Sequence, residues 1–433
     1  MTPTTLARSL VVLLGLAASS ISCRKSPSPL TSAGHSGAPA APVPSAATTA
    51  SAATTASAAA RAEPQRLATG EAHSCFVDRA HDLWCWGNNN QGELGDGSYG
   101  FRGRAEDTAQ AANERAVPAR VPSLLGRVAE VAAGSGNTCA VTVDRQLFCW
   151  GVDDGDPRLE SYRPVPKRRA IGSAVLSVSM KGSHSCAVAA DHGLWCWGLN
   201  DHGQLGTGQV DRSTGPPYPR PMHRVEALGQ TVQRACVGDG TSCALTSGGA
   251  VSCWGSNSEG LLDASDPSDR PLPVPIALPE AAVDLACGPS HACASLSSGK
   301  VACWGRNFEG QLGDGRPRRS RPYGSPVPAL VAGVSARPFA LALGYSFSLL
   351  LDERGAVWAF GKSPVPNDPR PLLAPARVEP LEPAREIAAG LTHACARSAS
   401  DAVFCWGQGQ SHQLGDGQAE HRPNPVRVTF PKR

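Results

Sequence analysis

Trp84-Cys85-Trp86-Gly87-Asn88-Asn89-Asn90-Gln91-Gly92-Glu93-Leu94-Gly95 begins as a strand and ends as a turn. Alternate residues of a strand share a face, so two indoles point one way and a cysteine the other, and both faces need cover. A sheet held between neighbouring sheets supplies it. Ten residues upstream stands Cys75, in His73-Ser74-Cys75-Phe76-Val77, with a short turn between the two segments. The pair reads as a hairpin.

The unit recurs. Trp-Gly or Phe-Gly ends a strand at Trp86-Gly87, Trp150-Gly151, Trp197-Gly198, Trp254-Gly255, Trp304-Gly305, Phe360-Gly361 and Trp406-Gly407, about 53 residues apart on average. All nine tryptophans lie one or three places before such a glycine. Each unit adds a small apolar strand upstream, such as Val131-Ala132-Ala133-Gly134, and a proline-valine strand downstream, such as Pro271-Leu272-Pro273-Val274. Four short antiparallel strands repeated seven times predict an all-β fold, a seven-bladed β-propeller of four-stranded blades over residues 65–433. Asn424-Pro425-Val426-Arg427-Val428 has no apolar strand after it, and Gln65-Arg66-Leu67-Ala68-Thr69-Gly70 has no proline-valine strand before it. The N- and C-terminal strands are therefore expected to pair and close the ring.

Cys75/Cys85, Cys139/Cys149, Cys186/Cys196, Cys243/Cys253, Cys293/Cys303 and Cys395/Cys405 are each ten apart, and the sixth unit has Leu349 and Ala359 instead. Both cysteines go together where one goes, as touching residues would. Six hairpin disulfides are predicted, each contributing roughly 2–3 kcal/mol by restricting the unfolded chain. A zinc site is the competing reading, because His73, His184, His291 and His393 stand two places before a cysteine. Asn137 and Thr241 replace the histidine while both cysteines persist. The histidines are thus expected to be structural, bonding a neighbouring turn, with no metal and no cofactor. Cys236 and Cys287, on the opening strands of consecutive units, form either an interblade disulfide or two buried thiols.

Composition agrees with a turn-rich β protein: 433 residues include 46 glycines, 37 prolines and three methionines. A net charge of +3 from 40 basic and 37 acidic side chains lacks the excess that nucleic-acid binding needs. Fifteen cysteines point to an oxidising compartment. Residues 1–22 read as an export signal, with an apolar run from Leu10 to Ala18. Ser20-Ile21-Ser22-Cys23 resembles a bacterial lipobox, which makes Cys23 the lipidation site; plain secretion is the alternative. Residues 23–64, rich in Ser, Pro, Ala and Thr, are expected to be a disordered linker. The expected location is extracytoplasmic, at a bacterial outer membrane or cell surface or in the medium. A membrane enters only through the lipid.

Gly70-Glu71-Ala72-His73-Ser74 and Trp86-Gly87-Asn88-Asn89-Asn90-Gln91-Gly92-Glu93-Leu94-Gly95 resemble the repeat of the regulator of chromosome condensation family. The resemblance covers nearly all of the chain after the linker. It implies a propeller. The founding member is a nuclear exchange factor for a small GTPase, a setting at odds with an export signal. A plant ultraviolet receptor of the family relies on Gly-Trp-Arg-His-Thr segments, absent here. A secreted bacterial relative blocks an enzyme with loops at one end.

No catalytic constellation with persuasive spacing occurs. What varies between units is the loop after Trp-Gly, and in a ring these loops gather at one end, on a rigid frame. Candidate partner-binding residues are Asn89, Asp153, Asp154, Asn200, His202, Glu259, Arg306 and Phe308, with Arg318 and Arg319 from the densest basic cluster. The insert from Ser98 to Ala116 is a candidate contact arm. The expected function is a non-enzymatic exported binding or scaffold protein that meets another protein or a surface polymer. A secreted enzyme inhibitor is the alternative; an enzyme with carboxylates at the central channel, or an exchange factor by family analogy, are weaker ones.

Overall fold

The computed structural model describes residues 64–100, 114–152, 162–212, 220–263, 266–317, 324–334, 336–364 and 371–432, all within the compact unit Ala53–Arg433. Seven four-stranded antiparallel sheets each use four consecutive strands. Blade 1 is Leu67–Thr69, His73–Val77, Leu83–Asn88 and Glu114–Arg120, from the innermost strand outward. Blade 7 is Ala384–Ala389, His393–Ser398, Val403–Gly407 and Arg422–Arg427. Where the chain passes from third to outer strand, Gly87 takes φ 100° and the ladder skips between Cys85 and Gly87. A side chain there would lie 2.6 Å from the Ala72 carbonyl, so the bulge needs glycine. Prolines occupy the outer strands; Pro271, Pro273 and Pro275 alternate along Arg270–Ile276, where an edge has no neighbour to receive a donor.

Seven buried clusters fill the seven junctions between blades. Cys75 and Cys85 of blade 1 pack with Trp150 of blade 2, and Cys395 and Cys405 of blade 7 with Trp86 of blade 1. Six blades turn a cysteine face, and blade 6 its Leu349 face, to the aromatic face of the next blade, so no sheet face is left to water.

One expectation is corrected. The terminal strands do not pair: Leu67–Thr69 lies beside His73–Val77, and Arg422–Arg427 beside Val403–Gly407. Every repeat supplies its four strands in order, so no blade lacks a strand and none is shared. The ring closes face to face. Glu386 Oε1 accepts the Arg66 and Leu67 amides at 2.7 and 2.9 Å, and the Phe430 ring meets Phe76, Trp84 and Trp86.

The six hairpin disulfides join directly opposed residues of the second and third strands. Cys75 is bonded to Cys85, Cys139 to Cys149, Cys186 to Cys196, Cys243 to Cys253, Cys293 to Cys303 and Cys395 to Cys405, with Cα–Cα distances of 4.0–4.1 Å. In blade 6 Leu349 faces Ala359 at the same register. Cys236 and Cys287 are bonded across the junction of blades 4 and 5.

The four histidines are structural, but their partner is a hydroxyl on the next blade, not a turn. His73 Nε2 lies 2.9 Å from Thr138 Oγ1, which donates to the Glu93 carbonyl; that carbonyl also accepts Trp150 Nε1. His393, Ser74 and the Gln413 carbonyl repeat the pattern, as do His184 with Ser242 and His291 with Ser348. Each hydroxyl proton goes to the carbonyl, so each oxygen accepts from imidazole and the proton sits on Nε2. Burial holds the rings neutral, lowering His73 and His184 to about 4 and His291 and His393 to about 3. Where the histidine is Thr241 or Phe347, the next blade has Ala292 or Ala394. At these two junctions donor and acceptor are both absent, whereas opposite Asn137 the next blade keeps Ser185.

Around the axis the blades nearly touch at the glycine that follows the inner strand in six of them. A Cβ on Gly288 would stand 2.8 Å from the Gly344 carbonyl and 2.7 Å from the His291 ring, although its φ is ordinary for any residue. Gly288→Ala is expected to lower stability by about 1–3 kcal/mol through overpacking alone. Gly248→Ala, with its nearest neighbour 4.0 Å away, is the control, and urea unfolding of the two variants reads the difference.

Candidate functional site

His73 pairs with Gly87, which places the turn after the inner strand and the loop after Trp-Gly at the same end of blade 1. The other blades repeat that register. The variable loops therefore surround the mouth of the central channel.

The neck below that mouth has glycine at 70, 134, 238, 288, 344 and 390, and Lys181 in blade 3. The lysine chain crosses the channel, and Nζ donates to the Leu343 and Ala389 carbonyls of blades 6 and 7 at 2.6 and 3.3 Å. Burial lowers its pKa to about 8. Above it, Glu71 and Asp239 face the mouth. Partial burial raises the Glu71 carboxyl, a hydrogen bond from Ser135 works against this, and the negative charge of Asp239 adds to it.

A second cluster lies at the same end across blades 4 to 6. Arg306 Nη1 donates to Glu259 Oε1 at 3.2 Å, and its guanidinium carbon sits 5.9 Å from the centre of the Tyr345 ring. Tyr345 is 45% exposed. Arg306 Nε, Glu259 Oε2 and Trp304 Nε1 are buried without a partner. The blade 4 loop reads Gly260-Leu261-Leu262 where blade 3 has Gly203-Gln204-Leu205, and Trp304 Nε1 meets no acceptor there.

Of the sequence candidates, the structure brings Glu259 and Arg306 together, with Phe308 half-buried two residues on. His202 Nδ1 lies 2.9 Å from Asp269 of the neighbouring blade's loop. Asn89 and Asn200 turn inward: their Oδ1 atoms accept the Leu94 and Leu205 amides, and their Nδ2 atoms donate to the Ser98 and Gln209 carbonyls. They shape loops and present no face to solvent.

The bridged cysteines belong to the frame and not to the site. Cys196, Cys253 and Cys303, on the third strands of blades 3, 4 and 5, are wholly buried against the next blade, so none of them has surface to offer a partner. Their bonded neighbours Cys186, Cys243 and Cys293 are buried with them, as are Cys75, Cys85, Cys139, Cys395 and Cys405, while Cys149 keeps some exposure. Cys23, Asp153, Asp154, Arg318 and Arg319 lie outside the described residues, as does most of the insert from Ser98 to Ala116. Sequence reasoning missed Lys181 and Tyr345. Aligning the residues around the inner-strand glycine exposes both, as a lysine among glycines and a tyrosine at the following turn.

Comparison with known proteins adds the following. Residues 154–433 match the RCC1-like domain, and residues 65–93, 81–141 and 128–155 match regulator of chromosome condensation (RCC1) repeats. The Ultraviolet-B receptor UVR8 of Arabidopsis thaliana is 30% identical over 49% of this chain and 46% of its own length. The chain thus spans about half of that relative. The fold is similar to human WBSCR16, with a TM-score of 0.69 at 22% identity over 81% of this chain and 94% of that one. It is also similar to yeast RCC1 (Prp20) solved with Kap60 bound, with a TM-score of 0.67 at 19% identity over 80% and 83%.

Proposed function

The chain belongs to the RCC1-like domain family, and from that premise we propose that it is an exported, non-enzymatic platform that binds a protein through the loop-bearing end of its propeller. The Arg306, Glu259 and Tyr345 cluster carries the reading. Arginine and tyrosine dominate protein-recognition surfaces because a planar ion and a rigid ring cover much area at little entropic cost. Here they stand on a frame clamped by disulfides, with the Arg306 guanidinium held over the half-exposed Tyr345 ring. A protein of similar fold, yeast RCC1 (Prp20), was solved with Kap60 bound, so the fold occurs in a chain that takes a protein partner.

The test is capture from surface extracts by the full chain and by Arg306→Ala/Tyr345→Ala. A true partner should bind the variant at least about tenfold more weakly, the size expected for two central anchors. Equal capture would place the contact elsewhere. If the captured protein is an enzyme whose turnover falls on binding, the inhibitor role replaces the scaffold role.

We extend the same proposal to location: export by residues 1–22, lipidation of Cys23 and a linker over residues 23–64 hold the platform off a membrane. Palmitate incorporation that disappears in Cys23→Ser is the expected result, and label retained by the variant would refute anchoring at that residue.

A further inference from the structure

At the end of the ring away from the loops, each blade turns between its second and third strands. In blade 1 the Asp78 carboxylate accepts the Ala80 and Asp82 amides and Trp84 Nε1. In blade 6 Asp352 accepts the Arg354 and Ala356 amides and Trp358 Nε1, so the two turns correspond residue for residue. Their undersides differ. In blade 1, His81 Nδ1 donates to the Val128 carbonyl at 2.8 Å, while the Asp82 carboxylate accepts the Gly126 amide and lies 3.5 Å from Arg120 Nε. Blade 6 has Gly355 and Ala356 at those two positions, and a cavity of about 330 Å³ opens beside them.

Trp358, Val378, Leu381 and Pro383 give the cavity an apolar wall. Arg377, at the end of the outer strand Leu372–Arg377, also lines it and pairs with Trp358 in the ladder as Arg120 does with Trp84. Asp352 is the one acid among the described lining residues, and both of its oxygens are engaged in the turn. Glu379 Oε1 lies 3.2 Å from Arg377 Nε, but the two side chains are 57% and 64% exposed, and a pair so open to water yields readily to a second carboxylate. An apolar cavity of about 150 Å³ is enough for benzene, so the larger space here takes a phenyl ring with a short acid chain. We propose that the underside of blade 6 binds a small carboxylate with an apolar, ring-sized body. Its carboxylate meets Arg377 as Asp82 meets Arg120 in blade 1, and its ring lies against Trp358 and Leu381. The site is at the opposite end from the Arg306 cluster and does not depend on the function proposed above.

Calorimetric titration of the full chain with 3-phenylpropanoate, at constant ionic strength, tests it. Saturable binding on the order of millimolar is expected, weakened about tenfold in Arg377→Gln, which removes the charge-assisted contact. Ala356→Asp restores the internal carboxylate that blade 1 carries and should weaken binding by at least as much. The alcohol 3-phenylpropanol, which keeps the ring and lacks the charge, should bind about tenfold more weakly than the acid. The proposal is overturned if 3-phenylpropanoate does not bind, if either variant binds it as tightly as the parent, or if the alcohol binds equally well.

Discussion

Replacing Glu93 by glutamine is expected to stabilise the protein by about 3 kcal/mol at pH 7 and by almost nothing below about pH 4.5. The Glu93 carboxyl lies in the loop that caps the junction of blades 1 and 2, and burial raises its pKa to about 8 despite hydrogen bonds from Asn88 and the Gln91 amide. The acid is therefore protonated in the fold and ionised in the unfolded chain at neutral pH. Its contribution is complete below an unfolded value of 4.5 and declines by about 1.4 kcal/mol per unit until pH reaches about 8. An amide has no proton to lose. Gln204, Gln311 and Gln413 occupy the same loop position, each accepting the amide two residues earlier, and Gln204 Nε2 donates to Asp201. In blade 1 the corresponding Asn90 has a buried Oδ1 with no partner, ready for the new donor. Urea unfolding at several pH values reads the effect. A gain equal at pH 4.5 and pH 7.5 would show that Glu93 is not the titrating group. The four buried histidines tilt stability the other way. Their folded pKa values lie below the unfolded 6.5, so what they contribute is present above that pH and lost as acid approaches 4.

Removing the bridge between blades in Cys236→Ala/Cys287→Ala is expected to cost about 4 kcal/mol, against about 3 for Cys243→Ala/Cys253→Ala in the neighbouring hairpin. The first pair closes a separation of 51 residues and the second one of 10, and a longer closed loop restricts the unfolded chain more. Native contacts reinforce the difference. The junction of blades 4 and 5 has Thr241 and Ala292 where four others have histidine and a hydroxyl, so the sulfur bridge stands where that polar relay is missing. Unfolding without reductant gives both values, and a hairpin pair that proves costlier would contradict the assignment.

Strand number, blade number and the hairpin disulfides were legible because they repeat. Cys75 against Cys85, Cys186 against Cys196 and Cys293 against Cys303 give the same answer in one unit after another, and the sixth unit, with Leu349 and Ala359, breaks the pattern at both places at once. Closure was not legible. Orphan strands at the two ends count the same whether they share a blade or sit in separate complete ones, and only packing distinguishes the two. Asn89 misled for another reason. A short amide in a loop suits a partner and suits its own backbone equally, and the Leu94 amide and Ser98 carbonyl were nearer. Lys181 was visible as the exception among the neck glycines, but its reach to Leu343 and Ala389 depends on which blades stand opposite, which follows only from the closed ring.

Because blade 7 meets blade 1 through the same kinds of contact as any other adjoining pair, the polypeptide has no privileged starting point. A gene rearranged to begin at blade 4, with the old ends joined by a short spacer, should still yield the same architecture. An ancestral chain could also have grown by duplicating whole modules, since any of the joints could admit a newcomer without unpicking a strand.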